Sequence, residues 1–210
     1  MFSLATQLAE GVAAATEAVR RGECVVLPTD TVYGVGANAL SPEAVQRLLD
    51  AKRRGHDMPP PVLIPDTELL ETVADLVSPP AQALAQAFWP GPLTLVLKAR
   101  RPLDITRSGT VAVRVPDHDD ARTLLRATGL LAVSSANVSG SPPATTVQAA
   151  QAMLADAVAI FLDGGPTPGE TPSTIVDLSV MPPRVLREGV LSLATLQSVW
   201  PDIVLGAASA

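Results

Sequence analysis

The sequence predicts a mixed α/β fold of about seven to nine strands with helices between them. Three observations predict it. Segments with apolar residues at helical spacing alternate with short Val- and Leu-rich runs, and turns containing Gly or Pro separate them. The 210 residues suffice for one sizeable core, and 47% hydrophobic against 17% charged residues describes a globular chain. Four apolar runs open into polar, glycine-bearing or charged segments, at residues 28–36, 134–140, 172–177 and 187–189. Open sheets keep their ligands at such strand ends, so four in one small chain suggest one shared site and an enzyme rather than a scaffold.

The elements follow in order. A helix is expected over about 5–21, stopped by Gly22 as a C-cap. Strands are expected near 24–27 and 31–35. Ser41-Pro42-Glu43 opens the next helix, with Ser as N-cap and Pro at the first helical position, and it runs to about Arg53. A short strand falls at 61–64. Ser78-Pro79 starts a helix that Trp89-Pro90-Gly91 must end. Strands are expected at 94–97 and 111–115, a helix at 118–128 closed by Gly129, a strand at 130–134 and a helix at 145–154. Strands near 158–162, 173–178 and 184–187 precede a last helix that Ser192 caps and that reaches about Trp200. No linker or internal repeat interrupts the pattern, so one domain is expected over about 5–200, with a loose tail at 201–210.

Composition removes several function classes. No apolar stretch approaches the roughly 20 residues needed to cross a bilayer. Met1-Phe2-Ser3-Leu4 lacks the pattern of a signal peptide, and the single cysteine, Cys24, cannot form an internal disulfide; a cytoplasmic location is expected. Cys24 lies in an expected buried strand, where inert packing is its natural role. The net charge of −6 argues against broad nucleic-acid binding. Of the 15 cationic residues 13 are arginine, whose planar fork suits carboxylate and phosphate. Arg54, Arg114 and Arg187 sit beside turn or strand motifs, whereas Arg20, Arg21, Arg122 and Arg126 look like solvated helix faces.

Familiar catalytic signatures are missing. There is no phosphate loop ending in Gly-Lys-Ser/Thr, and Gly34-Val35-Gly36 lacks the third glycine of a dinucleotide fingerprint. His56 and His118 are the only histidines, no Cys/His cluster has metal-ligand spacing, and Ser134 and Ser135 lack a nucleophile elbow. What remains is a site of hydroxyls, arginines and backbone amides. Such a site suits anions and a reaction that needs positioning and charge stabilisation more than a protein nucleophile.

Six segments in order carry a resemblance: Pro28-Thr29-Asp30-Thr31-Val32-Tyr33-Gly34, Lys52-Arg53-Arg54, Trp89-Pro90-Gly91-Pro92-Leu93-Thr94, Val113-Arg114-Val115-Pro116, Ser135-Ala136-Asn137 and Ser173-Thr174-Ile175-Val176-Asp177. Over about residues 10–190 the chain resembles the YrdC-like threonylcarbamoyl-AMP synthases, in their short single-domain form. The resemblance implies an open, twisted mixed sheet of about seven strands, with helices around a deep, positively lined cavity. It implies a nucleotidyltransferase that converts L-threonine, bicarbonate and ATP to threonylcarbamoyl-AMP and pyrophosphate. The product would serve threonylcarbamoyl modification of adenosine 37 in tRNAs reading ANN codons, through downstream transfer proteins. By motif match, Thr31, Arg114 and Ser173 would contact threonine, with Arg114 on its carboxylate. Lys52, Arg54, Thr110, Ser135, Asn137 and Arg187 would hold ATP, and Lys52, Arg54 and Arg187 would act on the reacting phosphates. Magnesium is expected with the triphosphate, with no metal site built from protein ligands alone.

Structural roles stand beside these. Arg54 could be a solvated helix end, Arg114 a structural ion pair, and Arg187 a partner of Glu188. Thr31 and Ser173 could satisfy turn backbone only. Tyr33 is expected to pack near the cavity, and Asp30 and Asp177 to order their turns rather than act as bases. The chain departs from the family where many members have an Asn and, five residues later, a His; Met58 and Leu63 stand there, and those two contacts are not carried over. Two other functions share the fold: a carbamoyl-adenylating domain and a double-stranded-RNA-binding module. A sugar-phosphate lyase of similar architecture would need clustered carboxylates that the sequence lacks.

Overall fold

The computed structural model describes residues 1–53, 60–100 and 109–206. Its strands are β1 (Phe2–Ser3), β2 (Val25–Leu27), β3 (Gly34–Asn38), β4 (Val62–Leu63), β5 (Leu93–Lys98), β6 (Thr110–Arg114), β7 (Leu131–Ser135), β8 (Ile160–Asp163), β9 (Thr174–Asp177), β10 (Arg184–Arg187) and β11 (Val204–Leu205). They form one mixed sheet in the order β1-β8-β2-β3-β7-β4-β6-β5-β9-β10-β11. The sequence patterns anticipate nine of these. The two-residue strands β1 and β11 are not among them. β11 corrects the expectation of a loose tail from 201: Val204 pairs with Arg184, and the Gly206 amide donates to the Val185 carbonyl at 2.9 Å.

The helices are α1 (Leu4–Arg20), α2 (Pro42–Ala51), α3 (Leu70–Val73), α4 (Pro79–Phe88), α5 (Asp119–Thr128), α6 (Val147–Leu154) and α7 (Leu193–Gln197). Their starts follow from capping. The hydroxyls of Ser41, Thr146 and Ser192 each accept from an amide three residues on, and His118 Nδ1 does the same for α5. Ser78 makes no such bond, so Pro79 at the first helical position sets the start of α4.

Alternation along the strands builds two cores. In β2, Val25 and Leu27 face the cluster made with α1 and α5, including Ala15, Val19, Leu124 and Leu125. Val26, between them, faces the opposite cluster with Leu48 of α2, Leu84 of α4 and Val147 of α6. Leu131 and Val133 against Ala132 repeat the pattern in β7. Each fully buried Leu or Val is worth about 1.5–3 kcal/mol of transfer free energy.

One expected strand moves. The sequence reading places it at 31–35, but the ladder begins at Gly34, and residues 28–33 form a buried, non-strand connection. The position takes glycine because a Cβ there would lie 2.6 Å from Val133 Cγ1 on the neighbouring strand. The backbone therefore reaches β7 directly after the polar residues, which keeps those residues out of the ladder and available as a site.

Candidate active site

Residues 28–33 are held by a relay of hydroxyls. Thr29 Oγ1 donates to the Val32 carbonyl at 2.7 Å and accepts from the Thr31 amide at 3.2 Å. Thr31 Oγ1 lies 3.0 Å from Thr29 Oγ1 and accepts from Arg114 Nη1 at 3.0 Å. Arg114, the last residue of β6, is only 6% exposed. It also donates through Nε to the Gly91 carbonyl at 3.0 Å and through Nη2 to Asp30 Oδ1 at 2.6 Å. Burial pulls its guanidinium below the ordinary arginine value, and Asp30 opposes that shift. The Asp117 amide also donates to Asp30 Oδ1, so the carboxylate ties its turn to the end of β6 and to the segment after it, where ordering of the turn alone was expected.

A second group surrounds Ser173. Its hydroxyl lies 2.9 Å from that of Thr94, and Arg187 donates to its carbonyl through Nη2 at 2.7 Å and through Nε at 3.2 Å. Arg187 Nη2 also reaches Ser173 Oγ at 3.3 Å. Glu188, weighed as the partner of Arg187, instead accepts from the Leu193 amide. Thr174 Oγ1 takes the Gly189 and Leu191 amides and donates to the Leu191 carbonyl, so it fixes the loop that follows Arg187. Gly189 has to be glycine: a Cβ would sit 2.2 Å from the Pro172 carbonyl oxygen and 2.7 Å from that of Ser173.

A third group forms around Lys52, which is 2% exposed. Its ammonium donates to the Ser135 carbonyl, to the Asn137 carbonyl at 2.7 Å and to Asn137 Oδ1 at 3.3 Å. The Asn137 amide group in turn donates to the Ser141 carbonyl at 2.6 Å. Lys52 thus braces the loop after β7 from beneath. Arg54, His56 and Met58 lie outside the described residues.

Sheet register relates the groups. Val62 of β4 pairs with Ala132 on one side and Val113 on the other, and Ser135 opposes Gly34. Counting along the strands, Thr110 is level with Ser135, while Arg114 lies at the opposite end of β6. One step beyond the Leu95–Val113 pair, Thr94 comes beside Arg114, and both Thr94 and Arg187 pair with Ile175. Arg114, Thr94 and Arg187 therefore share a row of the sheet, adjoining Ser173. The residues expected at threonine come together there with Arg187, which the resemblance assigns to ATP. Thr110, Ser135, Asn137 and Lys52 lie toward the other end.

A cavity of about 430 Å³ opens beside Thr29 and Asp30, walled also by His118, Gly164 and Thr167. Its described lining includes the ionisable side chains Asp30, Asp117 and His118. Tyr33 anchors two of the lining residues, Gly164 and Gly165. The ring is fully buried; the phenol donates to the Gly165 carbonyl at 2.6 Å and accepts from the Gly164 amide at 3.1 Å. Burial pushes this hydroxyl up to about 12. Asp177, as expected, orders its turn through Ser179.

Thr29, Thr94 and Thr174 escape a reading by residue type. The available signal was position: a threonine inside the apolar run of β5, and another between Pro28 and Asp30, each needs a hydrogen-bond partner if buried. All three are at most 4% exposed.

The family profile described as Telomere recombination (Sua5_yciO_yrdC) matches residues 17–189. A Mycobacterium tuberculosis protein is 44% identical over 196 residues, which are 92% of this chain and 90% of that relative. The threonylcarbamoyl-AMP synthase of Vibrio parahaemolyticus is 33% identical, covering 82% of this chain and 95% of its own. Among solved structures, Pyrococcus abyssi Sua5 complexed with L-threonine superposes with a TM-score of 0.88 at 38% identity. That match covers 93% of this chain and 58% of the Pyrococcus protein.

Proposed function

The chain belongs to the YrdC/Sua5 family of threonylcarbamoyl-AMP synthases, and from that premise we propose that it joins L-threonine, bicarbonate and ATP into threonylcarbamoyl-AMP with release of pyrophosphate. The product supplies the threonylcarbamoyl group for adenosine 37 of tRNA, handed on by separate transfer proteins. A cytoplasmic setting fits that role. No helix among the described residues is long and apolar enough to cross a membrane.

The observation that carries the reading is the state of Arg114. Its guanidinium has five N–H donors, and three named bonds, to Gly91, Thr31 and Asp30, hold it rigid. Two N–H groups are left for a carboxylate, beside the hydroxyls of Thr31 and Ser173. The threonine amine and bicarbonate form a carbamate with loss of water, without a protein nucleophile. A carbamate oxygen attacks the α-phosphate in line, and pyrophosphate leaves. The protein holds the anions together, neutralises charge and excludes water from a labile intermediate. Ser135 and Asn137, braced by Lys52, together with Thr110, Arg54 and Arg187, serve the nucleotide.

Magnesium accompanies ATP as part of the substrate. Such an ion is held mainly by phosphates and water; among the described residues no group of three or more His, Cys, Asp or Glu is placed to hold a metal.

Titration of Arg114→Ala tests the reading. Removing a buried charge partner costs about 2–5 kcal/mol, so threonine affinity falls about thirtyfold to several thousandfold while ATP affinity without threonine is preserved. Equal loss for both ligands would refute the assignment.

A further inference from the structure

We propose that two buried threonines, Thr94 and Thr29, set the hydrogen-bond polarity of the site, fixing Ser173 as a donor and Thr31 as an acceptor toward the ligand hydroxyl. The inference rests on the reading of threonine as substrate and concerns residues to which that reading gives no role.

Thr94 is 0% exposed, and among the described residues its hydroxyl has one partner, Ser173 Oγ at 2.9 Å. A hydroxyl carries one hydrogen, and a buried one is not left unpaired. Thr94 therefore donates to Ser173. The Ser173 oxygen then accepts from Thr94 and, at 3.3 Å, from Arg187 Nη2, which fills both of its lone pairs. Among the described residues its own hydrogen has no acceptor. Ser173 is 5% exposed, so that hydrogen is held for whatever occupies the site.

The Thr29 relay runs the opposite way. Thr29 spends its hydrogen on the Val32 carbonyl at 2.7 Å, so the 3.0 Å contact between hydroxyls is a donation from Thr31. Thr31 thus has no hydrogen left. Arg114 Nη1 fills one of its lone pairs at 3.0 Å, and the other remains. One residue offers only a donor and the other only an acceptor. An alcohol can satisfy both at once, an ether oxygen satisfies Ser173 alone, and a methyl satisfies neither. Thr94 acts through Ser173 and is a positioning residue: without its hydrogen, Ser173 is free to turn and the donor is no longer aimed.

The test is calorimetric titration of the full chain with L-threonine and L-valine, in the wild type, Thr94→Val and Thr94→Ser. One lost, aimed hydrogen bond corresponds to about tenfold in affinity. Thr94→Val should weaken threonine by about that factor and leave valine unchanged, and Thr94→Ser, which restores the hydroxyl, should bind threonine as the wild type does. Threonine and valine weakening alike, or Thr94→Ser binding as poorly as Thr94→Val, would overturn the proposal and leave Thr94 a packing residue. A wild type that does not distinguish threonine from valine would instead overturn the substrate reading beneath it.

Discussion

Arg114 and Asp30 form a buried ion pair at 2.6 Å, with side-chain exposures of 8% and 13%. The pair joins the loop after β2 to the end of β6, two segments 84 residues apart. Removing the carboxylate leaves a buried cation uncompensated, which costs about 3–5 kcal/mol. Asp30→Ala should lower the unfolding free energy by that amount, measured by urea denaturation. Asp30→Asn should lose less, because its amide oxygen still accepts from Arg114 and from the Asp117 amide. Equal losses in the two variants would show that the charge, rather than the acceptor geometry, dominates.

Gly189→Ala should damage the threonine side specifically. The new Cβ meets backbone of Pro172 and Ser173 within 2.7 Å, and backbone cannot rotate away as a side chain can. Relief requires shifting Ser173, at about 1–3 kcal/mol of stability. The expected result is a raised KM for threonine that exceeds any change in the KM for ATP. An unchanged KM for threonine would mean that Ser173 does not touch it.

The elements visible in the sequence were those with a periodicity or a cap. Ser41-Pro42 and Ser192 announced their helices, and Val25-Val26-Leu27 announced a strand buried on both faces. The segment 31–35 misled because Thr31, Val32 and Tyr33 have the composition of a strand. Pairing begins only at Gly34, opposite Leu27 on one side and Ser135 on the other. At the site, Arg114, Ser173 and Thr31 were legible as motif residues. The enclosure of Thr94 and the placing of Arg187 beside Ser173 depend on sheet register, which no local pattern records.

Lys52→Met should loosen the loop after β7. The ammonium satisfies the carbonyls of Ser135 and Asn137, and buried acceptors left unpaired cost about 1–3 kcal/mol each. Nucleotide affinity should fall while threonine affinity holds. Hydrogen exchange at the Ser141 and Asn137 amides should quicken. Unchanged exchange there would exclude the bracing role.

Stability should decline in alkali. Burial pushes the Cys24 thiol from 9.0 up to about 11 and the Tyr33 hydroxyl from 10.0 up to about 12. In each case the folded state holds the proton more tightly than the unfolded chain. The stabilisation is complete below the unfolded value and is lost as pH rises through the window, 9 to 11 for Cys24 and 10 to 12 for Tyr33. Urea midpoints measured from pH 8 upward should fall, and Cys24→Ala with Tyr33→Phe should flatten the decline. A midpoint that rises across this range would reverse the sign.

The most direct test is to incubate the purified chain with ATP, magnesium, L-threonine and ¹³C-bicarbonate and to weigh the nucleotide product by mass spectrometry. The predicted result is threonylcarbamoyl-AMP carrying the labelled carbon, formed with pyrophosphate and only when threonine is present. Pyrophosphate release that ignores threonine, or an adenylate without the labelled carbon, would contradict the account.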